Sequence, residues 1–145
     1  MVEKIERLFP KLLSGGFRVT SDSSDKYNCF AWAGGNDHQW WEPSGEHDWP
    51  EGVLRDYSLR AYTQLYSLLG FVPCNSVQLE DGYEKVAIFV LDADEPSHAA
   101  RQLLDGRWTS KIGDMEDIEH ALRDLEGDLY GTVALILSRP RPPSA

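Results

Sequence analysis

The chain has 145 residues, 41% of them hydrophobic, with five tryptophans and a formal charge of -10. That size and apolar content imply one folded domain with its own core, since disordered chains are poor in these residues. The acidic balance excludes the nucleic-acid backbone and anionic membrane surfaces as partners, because both would repel it.

The first predicted element is a helix: Val2, Ile5, Leu8, Phe9, Leu12 and Leu13 recur at spacings of three and four, with Pro10 interrupting the run. The opening MVEKIERLF alternates charges instead of placing a basic stretch before an apolar one, which argues against a signal peptide. No apolar run approaches the roughly 20 residues of a membrane span. A cytoplasmic location is therefore expected, and with it free thiols at Cys29 and Cys74.

After Ser14-Gly15-Gly16 and a polar loop over Thr20 to Lys26, a short helix is predicted from Asn28 to Ala33, stopped by Gly34-Gly35. Residues 36–52 hold Trp40, Trp41 and Trp49 among prolines and glycines, and read as a long, ordered aromatic loop. Leu59, Tyr62, Leu65, Tyr66 and Leu69 mark another helix, ended by Gly70, and Phe71 to Leu79 reads as a connection. Strands follow at 85–92, on both sides of Asp105-Gly106, and at YGTVALILS, with a helix expected over Ile118, Ala121, Leu122 and Leu125. The reading is one α+β domain over 1–139, N-terminal helices packed on an antiparallel sheet, and a proline-rich tail at 140–145.

Chemistry is expected at Cys29, where the start of a helix would stabilise a thiolate through free N–H groups and the helix dipole. Its base would be His98, on a later strand. The hairpin register decides the third group. With a three-residue loop and Gly106 in the left-handed region, Leu103 opposes Arg107, and His98, Ala100, Gln102, Trp108, Ser110 and Ile112 share one face. Because Trp108 and Ile112 should face inward, this register is preferred, and it makes Ser110 the orienter of His98, with Asp117, Asp114 or a backbone carbonyl as rivals. Cys29, Cys74, His98 and His120 lack the short paired spacing of a zinc site, so no metal or other cofactor is expected.

A cysteine at a helix start, a histidine on a strand and a polar residue on the next strand resemble the papain-like superfamily, its NlpC-type and CHAP amidase branches in particular. More closely, YNCFAWA, GFVPC, LEDGYEKVAIF, SHAARQLLDGRWTSKIG, DIEH and YGTVALILSRP together resemble a bacterial family of unknown function, over residues 27 to 139. The papain-like resemblance implies a cysteine hydrolase or acyl transferase acting on an amide, peptide or thioester. Cys29 would attack, His98 would shuttle the proton, and Ser110 or Asp117 would orient the imidazole. The Cys29 N–H and Asn28 would hold the oxyanion, and Trp40, Trp41 and Trp49 would shape the cleft. The expected partner is a small-molecule, peptide or protein substrate. The rival expectation is a non-catalytic binding or regulatory module of the same fold. The sequence leaves the oligomeric state open.

Overall fold

A computed structural model describes residues 2–142. Seven strands form one sheet, and every pairing in it is antiparallel. In chain order the elements are α1 (Val2–Leu8), α2 (Lys11–Gly15), β1 (Phe17–Val19), α3 (Cys29–Ala33) and α4 (Leu59–Leu68). Then come β2 (Val72–Cys74), β3 (Tyr83–Leu91), β4 (Glu95–Gln102), β5 (Trp108–Lys111), β6 (Asp117–His120) and β7 (Thr132–Pro140). Across the sheet the order is β1-β6-β5-β4-β3-β7-β2. Among the described residues no helix is long and apolar enough to cross a membrane.

This architecture corrects the expected papain-like or NlpC-like arrangement of N-terminal helices packed on a sheet. The sheet runs through the middle of the molecule, and short helices cover parts of both faces. Alternation along each strand separates two cores. Val86, Ile88, Ala99 and Leu137 pack under α3, α4 and the tryptophan loop. Ala87, Phe89, Ala100, Trp108, Ile118 and Ile136 pack under Ile5, Phe9 and Leu12 of α1 and α2, with Leu122 and Leu125. Because β3 is buried on both faces, it reads as a continuous apolar run, VAIFV, and not as an alternation.

Two expected elements change character. The helix predicted around 118–125 is strand β6 followed by a 3-10 turn at Leu122–Leu125. In DIEH, Ile118 and His120 face one core while Asp117 and Glu119 face the other side, a period of two that the later leucines disguised as a helical spacing. Phe71 to Leu79 is not only a connection, since Val72–Cys74 pairs with β7 and closes one edge. Pro73 suits an edge strand, where a missing N–H breaks no ladder. At the other end, β7 continues to Pro140 and Arg141 N donates to Gly82 O at 2.7 Å. Of the predicted tail, residues 143–145 lie outside the described residues.

The β4–β5 hairpin has the three-residue loop expected of it. Leu103 N donates to Arg107 O at 2.7 Å, and Gly106 sits at φ +91°, where other residues would be strained. Gln102 therefore pairs with Trp108, and the register fixes which side chains meet across the sheet. A second constrained glycine shapes the approach to the buried histidines. A Cβ on Gly131 would lie 1.9 Å from the carbonyl oxygen of Val90, so only glycine lets the chain close over β3 and place Tyr130 against His98.

Candidate functional site

Asn28 caps α3, and its contacts are structural. Its side-chain oxygen accepts from Ala31 N and from Trp41 N, both at 3.1 Å, and its amide donates to Trp41 O at 2.8 Å. The cap thus fastens the aromatic loop to the helix. Trp41 and Trp49 are buried core residues, Trp49 Nε1 donating to Leu54 O at 3.2 Å. Trp40 is half-buried and donates to Glu42 Oε1 at 3.0 Å. The three tryptophans anchor an ordered loop, and Trp41 and Trp49 also line a cleft of about 280 Å³ with Gln39, Leu65 and Leu68.

Cys29 begins α3 as expected, but it faces the core shared with Ala99, Val86 and Ile88. Burial pushes its thiol up to about 12, against which hydrogen bonds from backbone groups of Ala99 and Phe30 work only partly. His98 is the neighbour of Ala99 along β4, so its side chain leaves the opposite face of the sheet. There it stacks on Tyr130 with ring centroids 4.1 Å apart and meets the Phe89 ring edge-on at 5.2 Å. The sheet therefore separates thiol from imidazole, and the expected Cys29–His98 pair is not brought together.

The expected contact between His98 and Ser110 is present, as part of a longer chain. His98 Nε2 lies 2.9 Å from Ser110 Oγ, which lies 2.7 Å from His120 Nε2, and His120 Nδ1 lies 2.8 Å from Ala121 O. A carbonyl only accepts, so His120 carries its proton on Nδ1 and presents a lone pair on Nε2. Ser110 then donates to His120, and His98 Nε2–H donates to Ser110. His98 Nδ1 is left as a buried lone pair with no partner. All three residues are fully buried.

Burial holds both imidazoles neutral: it lowers His98 far below the ordinary range, with the neighbouring His120 adding to the effect, and lowers His120 to about 4. In the unfolded chain both would bind protons near their ordinary value of about 6.5. Their contribution to stability is thus complete above about pH 6.5 and is lost as pH falls toward about 4. The urea midpoint is expected to drop between about pH 7 and about pH 5. Burial raises the Asp117 carboxyl, which acts in the opposite sense and offsets part of that loss. A midpoint unchanged over this interval both in the native protein and in Asp117→Asn, which lacks the opposing carboxyl, would show that the histidines exert no such pull.

Asp117 does not orient His98. It lies on the other face of β6, where Tyr27 Oη donates to its Oδ2 at 2.8 Å. There α3 packs on β4 and β5 but stops short of β1 and β6, and the gap is a cleft of about 400 Å³ whose lining includes Arg101, Thr109, Asp117, Tyr27 and Trp32. Cross-strand pairing sets its floor. Arg101 lies beside Thr109, Thr109 beside Glu119, and Glu119 beside Arg18, so these four residues form one row on this face. Trp32 of α3 forms a wall, its Nε1 donating to Thr109 Oγ1 at 2.9 Å. The Arg101 guanidinium lies over the Trp32 ring at 5.2 Å.

The electrostatics of this cleft are incomplete. Arg18 pairs with Glu119 at 2.9 Å. Arg101 is half-buried, its Nε has no hydrogen-bond partner, and none of the ion pairs among the described residues includes it. Burial lowers the Arg101 pKa from its ordinary value, so its charge is held against a desolvation cost. Asp117 is 2% exposed; besides Tyr27, the Ser21 hydroxyl lies near its carboxyl, but no hydrogen bond of normal geometry reaches its second oxygen, Oδ1. Tyr27 is raised to about 12 by burial and by its bond to Asp117, so it remains a donor. Behind it Lys111 lies over the Tyr27 ring at 5.1 Å and donates to Ser24 O and Gly113 O, which occupies it structurally.

Reasoning from sequence singled out Asp117 but missed Arg101, Thr109, Tyr27 and Trp32. A signal for Arg101 was present. Strand alternation puts it on the face of the buried Ala99, an unusual place for arginine unless something balances its charge.

Searches of curated proteins and of solved structures find no match to the chain. The expected membership in a family of unknown function does hold: the family model described as Domain of unknown function (DUF7689) matches residues 18–138, and the chain belongs to that family.

Proposed function

We propose that the protein is a binding module, and that the cleft between α3 and strands β4, β5 and β6 takes a ligand bearing a carboxylate. The observation that carries this reading is Arg101. Arginine is almost never taken out of water without a partner, and here Trp32 holds the guanidinium in place while its Nε is left unmatched. A planar anion would complete it with charge-assisted hydrogen bonds. A cysteine hydrolase would need a base beside Cys29, whereas the groups bonded to that thiol belong to the backbone.

The test is an NMR titration with acetate and succinate, followed at the Trp32 indole N–H. Saturable shifts are expected in the native protein. In Arg101→Met they are expected to weaken by about tenfold or more, the size of one lost charged hydrogen bond. Stability should change little, since relief of the desolvation cost offsets the lost contact with the Trp32 ring and the attraction to Glu84 and Asp117. Equal shifts in both proteins would sink the reading.

A further inference from the structure

We infer that the ligand of this cleft is an α-amino acid, carrying an ammonium group next to its carboxylate; the inference rests on the proposed binding role and specifies it. Its independent observation is the second unmatched atom. Asp117 Oδ1 is buried without a partner on the same cleft that holds the unmatched Nε of Arg101. The two demands are of opposite sign: a guanidinium accepts an anion, and a carboxylate oxygen accepts a hydrogen from a cation or other donor. A ligand with a carboxylate alone would leave Asp117 Oδ1 desolvated and unsatisfied, which opposes binding.

The separation suits a ligand of this kind. Arg101 stands on β4 and Asp117 on β6, with β5 between them. Neighbouring strands lie about 4.8 Å apart, and the long arginine side chain covers much of that span. Asp117 lies two residues along β6 from Glu119, which shares the row of Arg101 and Thr109, and Thr109 is held by Trp32 Nε1. Tyr27 fixes Asp117 through its other oxygen, so the free Oδ1 has a defined direction. The remaining lining includes Trp32, Tyr27 and Leu103, which offer apolar surface to a side chain. At about 400 Å³ the space is more than a single amino acid fills, which leaves room for a large side chain.

The experiment uses the full chain and isothermal titration calorimetry with the twenty free L-amino acids, their N-acetyl forms and their carboxamides. At least one free amino acid with an apolar side chain is expected to bind. Its N-acetyl form should bind about tenfold more weakly or worse, and its carboxamide likewise, each having lost one charged contact. Asp117→Asn, which keeps a side chain of the same shape for Tyr27, should lose preference for the free amine, while Arg101→Lys should lose affinity for both carboxylate forms.

Free and N-acetylated forms binding equally would overturn the amino-acid assignment and leave the carboxylate reading standing. Should no carboxylate of either form bind, both readings fall. Binding unchanged in the two variants places the ligand elsewhere and also overturns the assignment. The native-protein series alone decides between these outcomes if a variant does not fold.

Discussion

Ser110→Ala is expected to lower the free energy of unfolding by about 2 to 6 kcal/mol, a large share of the roughly 5 to 15 kcal/mol that holds an average domain folded. Among the described residues the hydroxyl is the only hydrogen-bonded link between two fully buried imidazoles, receiving from His98 Nε2 and giving to His120 Nε2. Its removal leaves a donor and an acceptor unpaired at once, at about 1 to 3 kcal/mol each. No change of tautomer rescues the pair. Moving the His98 proton to Nδ1 would only transfer the unmet donor to an atom that already has no partner. The neighbouring residue supplies the comparison. Thr109→Val removes one hydrogen bond, from Trp32 Nε1, on the partly open side of the same strand, and should cost only about 1 kcal/mol. Urea denaturation of the two variants gives both numbers. A Ser110→Ala cost no greater than that of Thr109→Val would mean that the histidine chain contributes little to the fold.

The same strand shows why part of the molecule was legible in its sequence. The hairpin could be read because Asp105-Gly106 limits the turn and because Trp108 and Ile112 demand an inward face. Those two constraints select the register in which His98 and Ser110 share a side, and that contact exists. What the alternation does not tell is how many faces of a sheet are covered. Pairing Cys29 with His98 requires both to face the same side of the sheet. In the structure α1 and α2 cover one face while α3 and α4 cover the other, so residues adjacent in β4 serve opposite cores. The family likeness was legible from segments spread along most of the chain, yet it carried no information on chemistry. That Arg101 and Asp117 line one cleft escaped for a further reason. Their meeting depends on β6 being a strand, and the DIEH segment was taken for a helix because Ile118, Leu122 and Leu125 fit its spacing as well.

Cys29 is expected to react with iodoacetamide about a thousandfold more slowly than an ordinary thiol in native buffer, and at the ordinary rate once the chain is unfolded in urea. Only the thiolate attacks. Burial moves the Cys29 thiol from 9.0 to about 12, which lowers the thiolate population at neutral pH by about three powers of ten before access is considered. The helix start, which suggested activation, works in the other direction only weakly here. α3 spans five residues, and its cap is already occupied by the Asn28 side chain, so little of the dipole is left to favour an anion. Cys74, partly exposed near an edge of the sheet, provides a second thiol in the same chain for comparison. Mass spectrometry of peptides from a timed alkylation resolves the two sites. Modification of Cys29 in the folded protein as fast as that of Cys74 would contradict the buried environment and return a nucleophilic thiol to consideration. Slow modification, together with unchanged ligand titrations in Cys29→Ala, would leave the cleft on the Arg101 side of α3 as the place where this protein meets its ligand.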